Sequence, residues 1–350
     1  MKYYLKEEFL HDNNAKNAGN KARNDVESIV KSQGFKALIL SVDNWYEMST
    51  AKAQLHKAKA FSRSLKQLNE GDELLIQFPM LHHSFFTTSL VKKARKRGVK
   101  IYFIIHDLDA LRFMNGQAVP LKHRIRMKIQ ESGLLAAADG IIAHNPIMKS
   151  VLVDKGIAED KIVSLGIFDY LIPNFQEKTD LTKNQPIIVA GNLAQGKAGY
   201  LYSLPAEPAY NLYGVGFDES RALENETYFG SFLPDELPAA LKGSFGLVWD
   251  GDSAKTCSGV FGEYLRYNNS HKASLYLASG FPLIVWKQSA LSHFVLENGC
   301  GIAVSSLSEL AEKIRNLSDE EFQKLVSGSQ KIGENIRAGY YLKSVLKRFE

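Results

Sequence analysis

Short apolar runs alternate with longer segments of helical period, and this pattern constrains the fold more than any other feature of the chain. Helical segments are predicted at 19–33, 52–68, 84–97 and 121–137, and Pro146 suits the first turn of a further helix. The apolar runs of the first half are ALILSV (37–42), ELLIQF (73–78), VKIYFII (99–105), GIIAH (140–144) and KIVSLG (161–166), after a charged candidate strand from Tyr3 to Phe9. Such alternation predicts βαβ units and a parallel sheet covered on both faces.

A second series of the same kind follows a polar, aperiodic segment at 169–186, which we interpret as a linker. Its apolar runs are PIIVAG (186–191), NLYGVG (211–216), FGLVWD (245–250), FPLIVW (281–286) and GIAV (301–304), with helices predicted at 271–279, 289–298 and 307–316. The chain end is predicted to be helical, with a break near Gly328 and Gly333. We therefore predict an α/β protein with Rossmann-like domains at 1–170 and 171–330 and a terminal helix at 331–350.

Composition narrows the class of protein. The 350 residues exceed what one core usually supports, which favours two domains. The 43 Lys and Arg against 38 Asp and Glu give a net charge of +5, too small to indicate a nucleic-acid-binding protein by itself. Cys257 and Cys300 are too few for a disulfide framework or a four-ligand zinc site. Because the chain has neither an apolar signal region at its start nor an 18-residue apolar stretch, we expect a cytoplasmic protein.

A glycine-rich motif follows the first strand of the second series. Residues 191–197, GNLAQGK, satisfy the GxxxxGK spacing with which backbone N–H groups and a lysine hold phosphates. A nucleotide hydrolase needs Ser or Thr after that lysine, however, and this chain has Ala198. Three interpretations therefore stay open: a P-loop, a phosphate-contacting loop of another kind, or a turn with a solvated Lys197. No GxGxxG fingerprint follows any strand, which argues against a dinucleotide dehydrogenase.

The segment 260–282 predicts an anion site. Ser270 is a plausible N-cap, which places His271 and Lys272 in the first turn of a helix. A helix N-terminus is already positive, so a lysine there is unfavourable unless an anion such as a diphosphate binds. The alternative is a lysine that faces solvent.

Carboxylates and imidazoles follow several predicted strands, at the sheet edge where ligands of parallel α/β folds collect. Asp107, in the sequence HDLD after the strand YFII, could deprotonate an acceptor hydroxyl or could cap a helix. Asp250 and Asp252 could hold Mg²⁺ or form a turn. The pair His82 and His83 could bind a metal or could precede a helix at the surface.

Two basic runs, KKARKRGVK (92–100) and KHRIRMK (122–128), lie on or beside helices of the first domain. They are interpreted either as solvated helix faces or as a surface weakly attracted to an anionic membrane. No base-reading motif accompanies them, so nucleic acid is not expected as a partner.

Two Rossmann-like domains with a linker and a terminal helix resemble the GT-B glycosyltransferases. The stretches GSFGLVWDGD (243–252) and YNNSHKASLYLASGFP (267–282) resemble a bacterial subfamily that contains β-1,6-galactofuranosyltransferases of O-antigen synthesis. The same subfamily contains glucosyltransferases that extend glycans on serine-rich-repeat adhesins. ADGIIAHN (138–145) and GNL (191–193) are similar to further family landmarks.

The resemblance implies transfer of a hexosyl group from a UDP-sugar held by the second domain to an acceptor held by the first, with the terminal helix crossing back. It implies no metal and no other cofactor, since GT-B enzymes neutralise the leaving diphosphate with helix dipoles and basic side chains. Lys272 matches the family lysine at the donor phosphates. The other residues expected at the donor are Gly191, Asn192, Lys197, Asn17, Ser270, His271 and Asp250.

The expected mechanism is direct displacement with inversion, in which Asp107 deprotonates the acceptor and the lysines stabilise the departing UDP. Retention of configuration would need no such base. The expected acceptor is a glycan or a glycosylated protein. If the basic runs contact the membrane, the protein works at its inner face. The resemblance also allows self-association. The donor hexose, glucose or galactofuranose, stays open, as do the linkage and two other functions: a non-catalytic sugar-nucleotide-binding subunit and a P-loop nucleotide hydrolase.

Overall fold

The computed structural model describes residues 1–8, 18–43, 46, 48–113, 127 and 131–349. Its strands form two six-stranded sheets in which all neighbouring strands are parallel. The first sheet contains β1 (Lys2–Glu8), β2 (Lys36–Ser41), β3 (Glu73–Phe78), β4 (Lys100–Ile105), β5 (Gly140–Ala143) and β6 (Ile162–Ser164), in the order β2-β1-β3-β4-β5-β6. The second contains β7 (Ile187–Asn192), β8 (Tyr210–Val215), β9 (Glu226–Tyr228), β10 (Gly246–Val248), β11 (Leu283–Trp286) and β12 (Gly301–Val304), in the order β12-β11-β10-β7-β8-β9. The predicted α/β class with two parallel sheets is confirmed.

Helices connect the strands of each sheet. With the first sheet these are α1 (Ala18–Ser32), α2 (Thr50–Leu65), α3 (Thr87–Lys96), α4 (Asp109–Arg112), α5 (131–136) and α6 (Pro146–Asp154). With the second sheet they are α7 (Gln195–Ala198), α8 (Leu237–Ala240), α9 (Gly259–Tyr264), α10 (His271–Ala278), α11 (Leu291–Glu297) and α12 (Leu310–Asn316), followed by α13 (Asp319–Arg337) and α14 (Tyr340–Leu346). The predicted basic helix at 121–137 lies mostly outside the described residues.

The central strands are buried because helices cover both faces of each sheet. Every residue of β3 and β4 after the first of each strand is solvent-excluded, which is why these strands read as continuous apolar runs. Phe78 pairs with Ile105 in the parallel register, so the carboxyl ends of both strands reach the same edge of the sheet. The short β9 was not predicted, since its sequence ETY is polar and only partly buried.

The segment 165–186, all of it described, joins the two sheets without strand or helix. The polar composition of 169–186 agrees with its interpretation as a connecting segment, but three side chains of this range, Asp169, Tyr170 and Leu181, are buried. The Tyr170 hydroxyl donates a hydrogen bond to the carbonyl of Pro234 at 2.8 Å. The connecting segment therefore packs on the second domain through Tyr170.

The predicted helix break near Gly328 and Gly333 is wrong. Helix α13 runs through both glycines, begins at a capping box formed by Ser318 and Glu321, and ends before Gly339, whose φ is 69°. A Cβ on Gly328 would lie 2.3 Å from the carbonyl oxygen of Gly299, and one on Gly333 would lie 2.3 Å from that of Leu277. These glycines permit close packing of α13 on neighbouring backbone, a requirement that local sequence does not reveal.

The terminal helix returns to the first domain, as predicted. Leu342, Val345 and Leu346 of α14 share an apolar cluster with residues of β1 and α1, including Tyr4 and Ile29. Asp169, just after β6, accepts hydrogen bonds from the backbone N–H groups of Tyr341 and Leu342 and so holds the start of α14.

Among the described residues, no helix is long and apolar enough to cross a membrane. Cys257 and Cys300 are both buried and free.

Candidate active site

The carboxyl ends of β4, β5, β7 and β10 and the start of α10 bring polar side chains to the cleft between the two sheets. His106 and Asp107 follow β4, whereas Asp250 follows β10 after Trp249. The hydroxyl of Tyr264, in α9 of the second domain, accepts a hydrogen bond from the N–H of Leu108 at 2.8 Å. The carboxyl edges of the two sheets therefore face each other, which is where parallel α/β folds bind their ligands.

Lys272 lies in the first turn of α10, as predicted, but its charge has a partner. Its Nζ donates to Oδ1 of Asp250 at 2.8 Å and to the carbonyl of Trp249 at 3.0 Å. The two side chains are only 13% and 8% exposed. The interpretation of Lys272 as a solvent-facing lysine is wrong, because the ammonium is held against the end of β10.

The three motifs of the second domain form one structural unit. The N–H of Gly251 donates to the carbonyl of Lys197, and the N–H of Tyr200 donates to the carbonyl of Gly251. Gly191, with φ of 127°, lies so close to Lys272 that a Cβ would be 3.7 Å from the lysine Cδ. The glycine-rich loop, the Asp250 turn and the start of α10 thus meet around the Lys272 ammonium.

The loop at 191–197 differs from a P-loop. Asn192 is still part of β7, and the helix that follows, α7, has only four residues before a 3₁₀ turn at Gly199–Ser203. A P-loop needs a helix whose N-terminus faces the phosphates. The geometry therefore favours a phosphate-contacting loop of another kind over a P-loop.

Lys197 lies among several charges of both domains. The Asp250 carboxylate raises the pKa of Lys197, but burial together with the positive charges of Lys272 and Arg112 lowers that pKa below its ordinary value. The Lys197 ammonium also lies 5.2 Å from the ring centroid of Phe261. A depressed lysine pKa beside two other cations marks a place where an anion would be stabilised.

Arg112 brings a positive charge from the first domain to the same place. Its guanidinium forms an ion pair with Oδ1 of Asp107 and lies 3.3 Å from Oδ1 of Asp109. It also lies 5.1 Å from the ring centroid of Tyr264 in the second domain. Arg112 was not among the predicted site residues, because its only local signal is a basic residue one helical turn after the acidic HDLD segment.

Asp107 stands at the cleft edge and not in a helix cap. The N-cap position of α4 is Leu108, so the alternative of a capping aspartate is wrong. The Asp107 side chain is 39% exposed, and Arg112 holds one of its carboxylate oxygens. Within the part of the chain that the structure describes, its Oδ2 has no hydrogen bond.

Three histidine rings surround Phe168 at the base of the cleft. The rings of His106, His144 and His271 have centroids 5.4, 4.9 and 5.3 Å from that of Phe168. Burial lowers the pKa of His144 and that of His271 to about 4, and it lowers the pKa of His106 well below its ordinary value. The imidazoles are therefore neutral at pH 7. His106 Nε2 lies 2.7 Å from Oε1 of Gln77.

A buried amide network ties the domains together beside these rings. Asn145, after β5, donates from Nδ2 to Oδ1 of Asn269 at 2.8 Å and to the carbonyl of Tyr267 at 2.9 Å. Asn269 in turn donates from Nδ2 to the carbonyls of His144 and Gly166. Both asparagines belong to stretches that carry the family resemblance, but the sequence assigned no role to either.

Some predicted residues make other contacts. Ser270 occupies the N-cap position of α10, yet its side chain makes no capping hydrogen bond. The Asn192 side chain accepts a hydrogen bond from the N–H of Ala194 in its own loop. His82 is 1% exposed, with Nε2 3.0 Å from the carbonyl of Glu8, so the prediction of a surface histidine is wrong for this residue. Asn17 lies outside the described residues.

The predicted metal alternatives have no support in the described ranges. Asp250 is engaged by Lys272, whereas Asp252 is exposed. No group of three or more His, Cys, Asp or Glu side chains that could hold a metal ion occurs among the described residues.

Comparisons with known proteins agree with this architecture. The N-terminal domain described as glucosyltransferase 3-like matches residues 2–167, and the corresponding C-terminal domain matches residues 187–349. The chain is 34% identical over 347 residues to the beta-1,6-galactofuranosyltransferase WbbI of Escherichia coli (strain K12), with 97% of each chain covered. It is similar in structure to sucrose-phosphate synthase from Thermosynechococcus elongatus, with a TM-score of 0.67, 13% identity and 99% and 97% coverage. Anabaena Alr3699/HepE in complex with UDP matches with a TM-score of 0.58, 10% identity and full coverage of both chains.

Proposed function

The chain belongs to the glucosyltransferase 3-like family and is a glycosyltransferase with the GT-B fold, and we propose that it transfers a hexosyl group from a UDP-sugar to a hydroxyl of a growing glycan. The relative WbbI is a galactofuranosyltransferase, and the family takes its name from a glucosyltransferase. Galactofuranose and glucose are therefore the two candidate hexoses. A UDP donor is favoured because the structurally similar HepE is in complex with UDP.

One observation carries this proposal: three cations from two domains converge where the carboxyl edges meet. Lys272 and Lys197 come from the second domain and Arg112 from the first. Asp250 pairs with Lys272, and Asp107 and Asp109 pair with Arg112, whereas Lys197 forms no ion pair among the described residues. A diphosphate bound there gains charge-assisted hydrogen bonds and faces the N-terminus of α10.

On the donor side, we assign Lys272 to the diphosphate and Asp250 to the positioning of that lysine. Two of the three ammonium N–H groups are directed to Asp250 and Trp249, so the third can donate to a phosphate oxygen. Lys197 stabilises the charge that develops on departing UDP. The remaining proposed donor residues are Gly191, Asn192, Asn17, Ser270 and His271.

On the acceptor side, we assign Asp107 as the general base of an inverting displacement. The acceptor hydroxyl gives its proton to Oδ2 of Asp107 while its oxygen forms a bond to the anomeric carbon. The bond from that carbon to the donor phosphate oxygen breaks at the same time, and UDP leaves. Arg112 holds the other carboxylate oxygen and so orients the base.

The acceptor side comprises 1–170, the donor side 171–330, and 331–350 returns to the first. The acceptor is a glycan of a cell-surface polysaccharide or of a glycoprotein, and the reaction takes place in the cytoplasm. The reaction needs no metal, since cations of the chain itself stand where a divalent ion would neutralise the diphosphate. Self-association is a further proposal.

Release of UDP from a panel of UDP-, GDP- and TDP-hexoses tests the function. We expect slow UDP release from one UDP-hexose, faster release with an acceptor glycan, and no effect of a chelator. Mg²⁺-dependent phosphate release from ATP or GTP would instead indicate a nucleotide hydrolase. UDP binding without turnover under any acceptor would indicate a non-catalytic subunit.

The substitution Lys272→Ala tests the donor site. Charge-assisted hydrogen bonds contribute about 1.5–3 kcal/mol, so the affinity for UDP should fall about tenfold or more. Calorimetric titration with UDP measures it, and Lys287→Ala, which removes an exposed lysine, is the matched control. Because Lys272→Ala leaves Asp250 unpaired, the double substitution Lys272→Met with Asp250→Asn gives the same test without a buried charge. Unchanged UDP binding in both would refute the assignment.

A further inference from the structure

We infer that one face of the first domain docks on an anionic lipid bilayer. This α2–α3 face consists of the exposed sides of α2 and α3 and the turn that precedes α3. Its main side chains are Leu55, Lys59, Arg63, Phe85, Phe86 and Lys93. The inference does not depend on the proposed donor or acceptor.

Charge is concentrated on this face. Residues 50–69 and 79–100 contain eleven Lys and Arg and no Asp or Glu, so the rest of the chain has a net charge of −6. Nine of these cations are exposed, and none of the nine has a carboxylate partner among the described residues: Lys52, Lys59, Arg63, Lys66, Lys92, Lys93, Lys96, Arg97 and Lys100. Lys57, which is buried, and Arg95, which pairs with Asp139, lie apart from the exposed set. The exposed face is therefore strongly positive, whereas the rest of the chain is net negative.

Large apolar side chains project between these cations. Phe85 is 58% exposed, Leu55 51% and Phe86 45%, which leaves three bulky apolar residues in solvent, one on α2 and two in the turn before α3. The turn is held in place, because the N–H of Phe85 donates to Oε1 of Gln54 at 2.9 Å. Exposure of such a group costs free energy in water, and it indicates a surface that binds an apolar phase.

A shallow groove of about 260 Å³ separates the two helices. Apolar atoms of Leu55, Ala58, Phe86 and Leu90 form most of its lining, while Lys59 and Lys93 stand on its walls. Lysines at such positions can extend their ammonium groups to phosphate headgroups while their methylene chains lie along apolar surface. The groove thus combines an apolar floor with a cationic rim.

A bilayer matches this combination better than a soluble polyanion does. Nucleic acid would satisfy the lysines but would leave Leu55 and the aliphatic floor of the groove without a partner. The boundary between headgroups and acyl chains offers anionic phosphates and hydrocarbon within a few ångströms of each other, as amphipathic surface helices require. The segment 79–84, which leads to the turn of this face, leaves β3 at the sheet edge where the N–H of His106 donates to the carbonyl of Phe78. An acceptor held at the membrane would therefore reach the cleft of the docked protein.

Vesicle co-sedimentation of the full-length chain tests the inference. We expect binding to vesicles of phosphatidylcholine mixed with phosphatidylglycerol, and little binding to phosphatidylcholine alone. Binding should weaken between about 0.1 M and about 1 M salt, since the Debye length falls from about 10 Å to about 3 Å. The double variant Lys59→Gln with Lys93→Gln should lose about fivefold in affinity for each lysine, which corresponds to about 1 kcal/mol per charge.

The apolar part is tested with Phe85→Ser combined with Phe86→Ser, which should reduce vesicle binding at every salt concentration. Matched controls are Leu296→Ser, on an exposed leucine outside the face, and Lys287→Gln combined with Lys331→Gln. Thermal unfolding should show that every variant is folded. Equal binding to neutral and anionic vesicles, loss of binding in the controls as well, or no effect of either face variant would overturn the inference. It would also fail if the chain bound RNA through these lysines but no vesicle.

Discussion

At the residue scale, the charge of Lys272 at the start of α10 is compensated by a carboxylate that is distant in the sequence. A lysine at a helix N-terminus is electrostatically unfavourable. From the sequence, a bound anion was the predicted source of compensation. In the fold the carboxylate of Asp250 supplies part of the compensation at 2.8 Å. The pair is nearly buried, so removal of one member leaves a costly charge behind. This is why the test of Lys272 includes a variant that neutralises both residues.

Asp107→Asn is expected to lower the rate of hexosyl transfer by a factor of about 10²–10⁴, because an amide cannot accept the acceptor proton. Affinity for UDP should change little, since Asp107 has no proposed contact with the diphosphate. Steady-state kinetics with acceptor and titration with UDP separate the two effects. Asp154→Asn, on an exposed aspartate at the end of α6, is the matched control. Full activity of Asp107→Asn, or a product with retained configuration by NMR, would remove the base from the mechanism.

His271 is expected to destabilise the protein in acid. Burial, and then the positive charges of His144 and Lys21, lower its pKa to about 4 from an unfolded value of about 6.5. Between these values the unfolded chain binds the proton more readily, so the free energy of unfolding falls as the pH falls from about 6.5 to about 4.

The substitution His271→Gln should therefore reduce the loss of stability between pH 7 and pH 4.5 by about 2 kcal/mol, at about 1.4 kcal/mol per pKa unit. Urea unfolding at the two pH values measures it. His293→Gln, on a ring 85% exposed, is the control. An identical pH dependence of wild type and His271→Gln would mean that His271 does not titrate in this range.

At the scale of elements, glycines decide how closely helices approach sheets. Gly246 of β10 lies under the ring of Tyr276 in α10, where a Cβ would be 2.1 Å from Cγ of the ring. The Tyr276 hydroxyl accepts a hydrogen bond from the N–H of Ala190 in β7 at 2.7 Å. Helix α10, and with it Lys272, is therefore positioned by a glycine that carries no chemistry itself.

Gly246→Ala should lower the free energy of unfolding by about 1–3 kcal/mol, the usual cost of overpacking a core. It should also weaken UDP binding, because α10 must shift to accommodate the methyl group. Chemical denaturation and UDP titration measure the two effects. Gly133→Ala is the matched control: its nearest neighbour, Cγ2 of Thr88, would be 3.7 Å away, so stability should hold or rise. A neutral Gly246→Ala would contradict the proposed packing constraint.

At the scale of the whole molecule, buried polar contacts couple the two domains. Asn145, Asn269 and His144 form one network, and Lys21 of α1 reaches Asp235 of the second domain at 2.9 Å while it pairs with Asp25 at 2.7 Å. Such networks are specific because each donor has few alternative partners in a buried setting. They fix the positions of the two carboxyl edges relative to each other across the cleft.

Asn269→Ala should lower the free energy of unfolding by about 2–4 kcal/mol, since it removes buried hydrogen bonds and leaves partner groups unsatisfied. The weaker coupling should also split thermal unfolding into two transitions, one for each domain. Differential scanning calorimetry records both. Asn298→Ala, on an exposed asparagine bonded within its own helix end, should change neither. A single transition of unchanged midpoint in Asn269→Ala would show that the network does not couple the domains.

Local pattern was sufficient for the elements and for part of the site. Apolar runs such as ELLIQF predicted the buried strands because a parallel sheet covered on both faces needs continuous hydrophobicity. The segments that carry Lys272, Lys197 and Asp250 were predicted from motif spacing and from resemblance, and all three lie together in the fold.

Tertiary structure alone decided what depends on residues far apart in the chain. The pairing of Asp250 with Lys272, the arrival of Arg112 from the other domain and the Asn145–Asn269 link all join residues that no local period connects. The same holds for Gly328 and Gly333, which local sequence marks as helix breakers but which allow α13 to pack closely on the backbone of Gly299 and Leu277. Secondary structure follows from short-range hydrophobic period and backbone preference. Charge partners and close approaches follow from the topology that brings distant segments together.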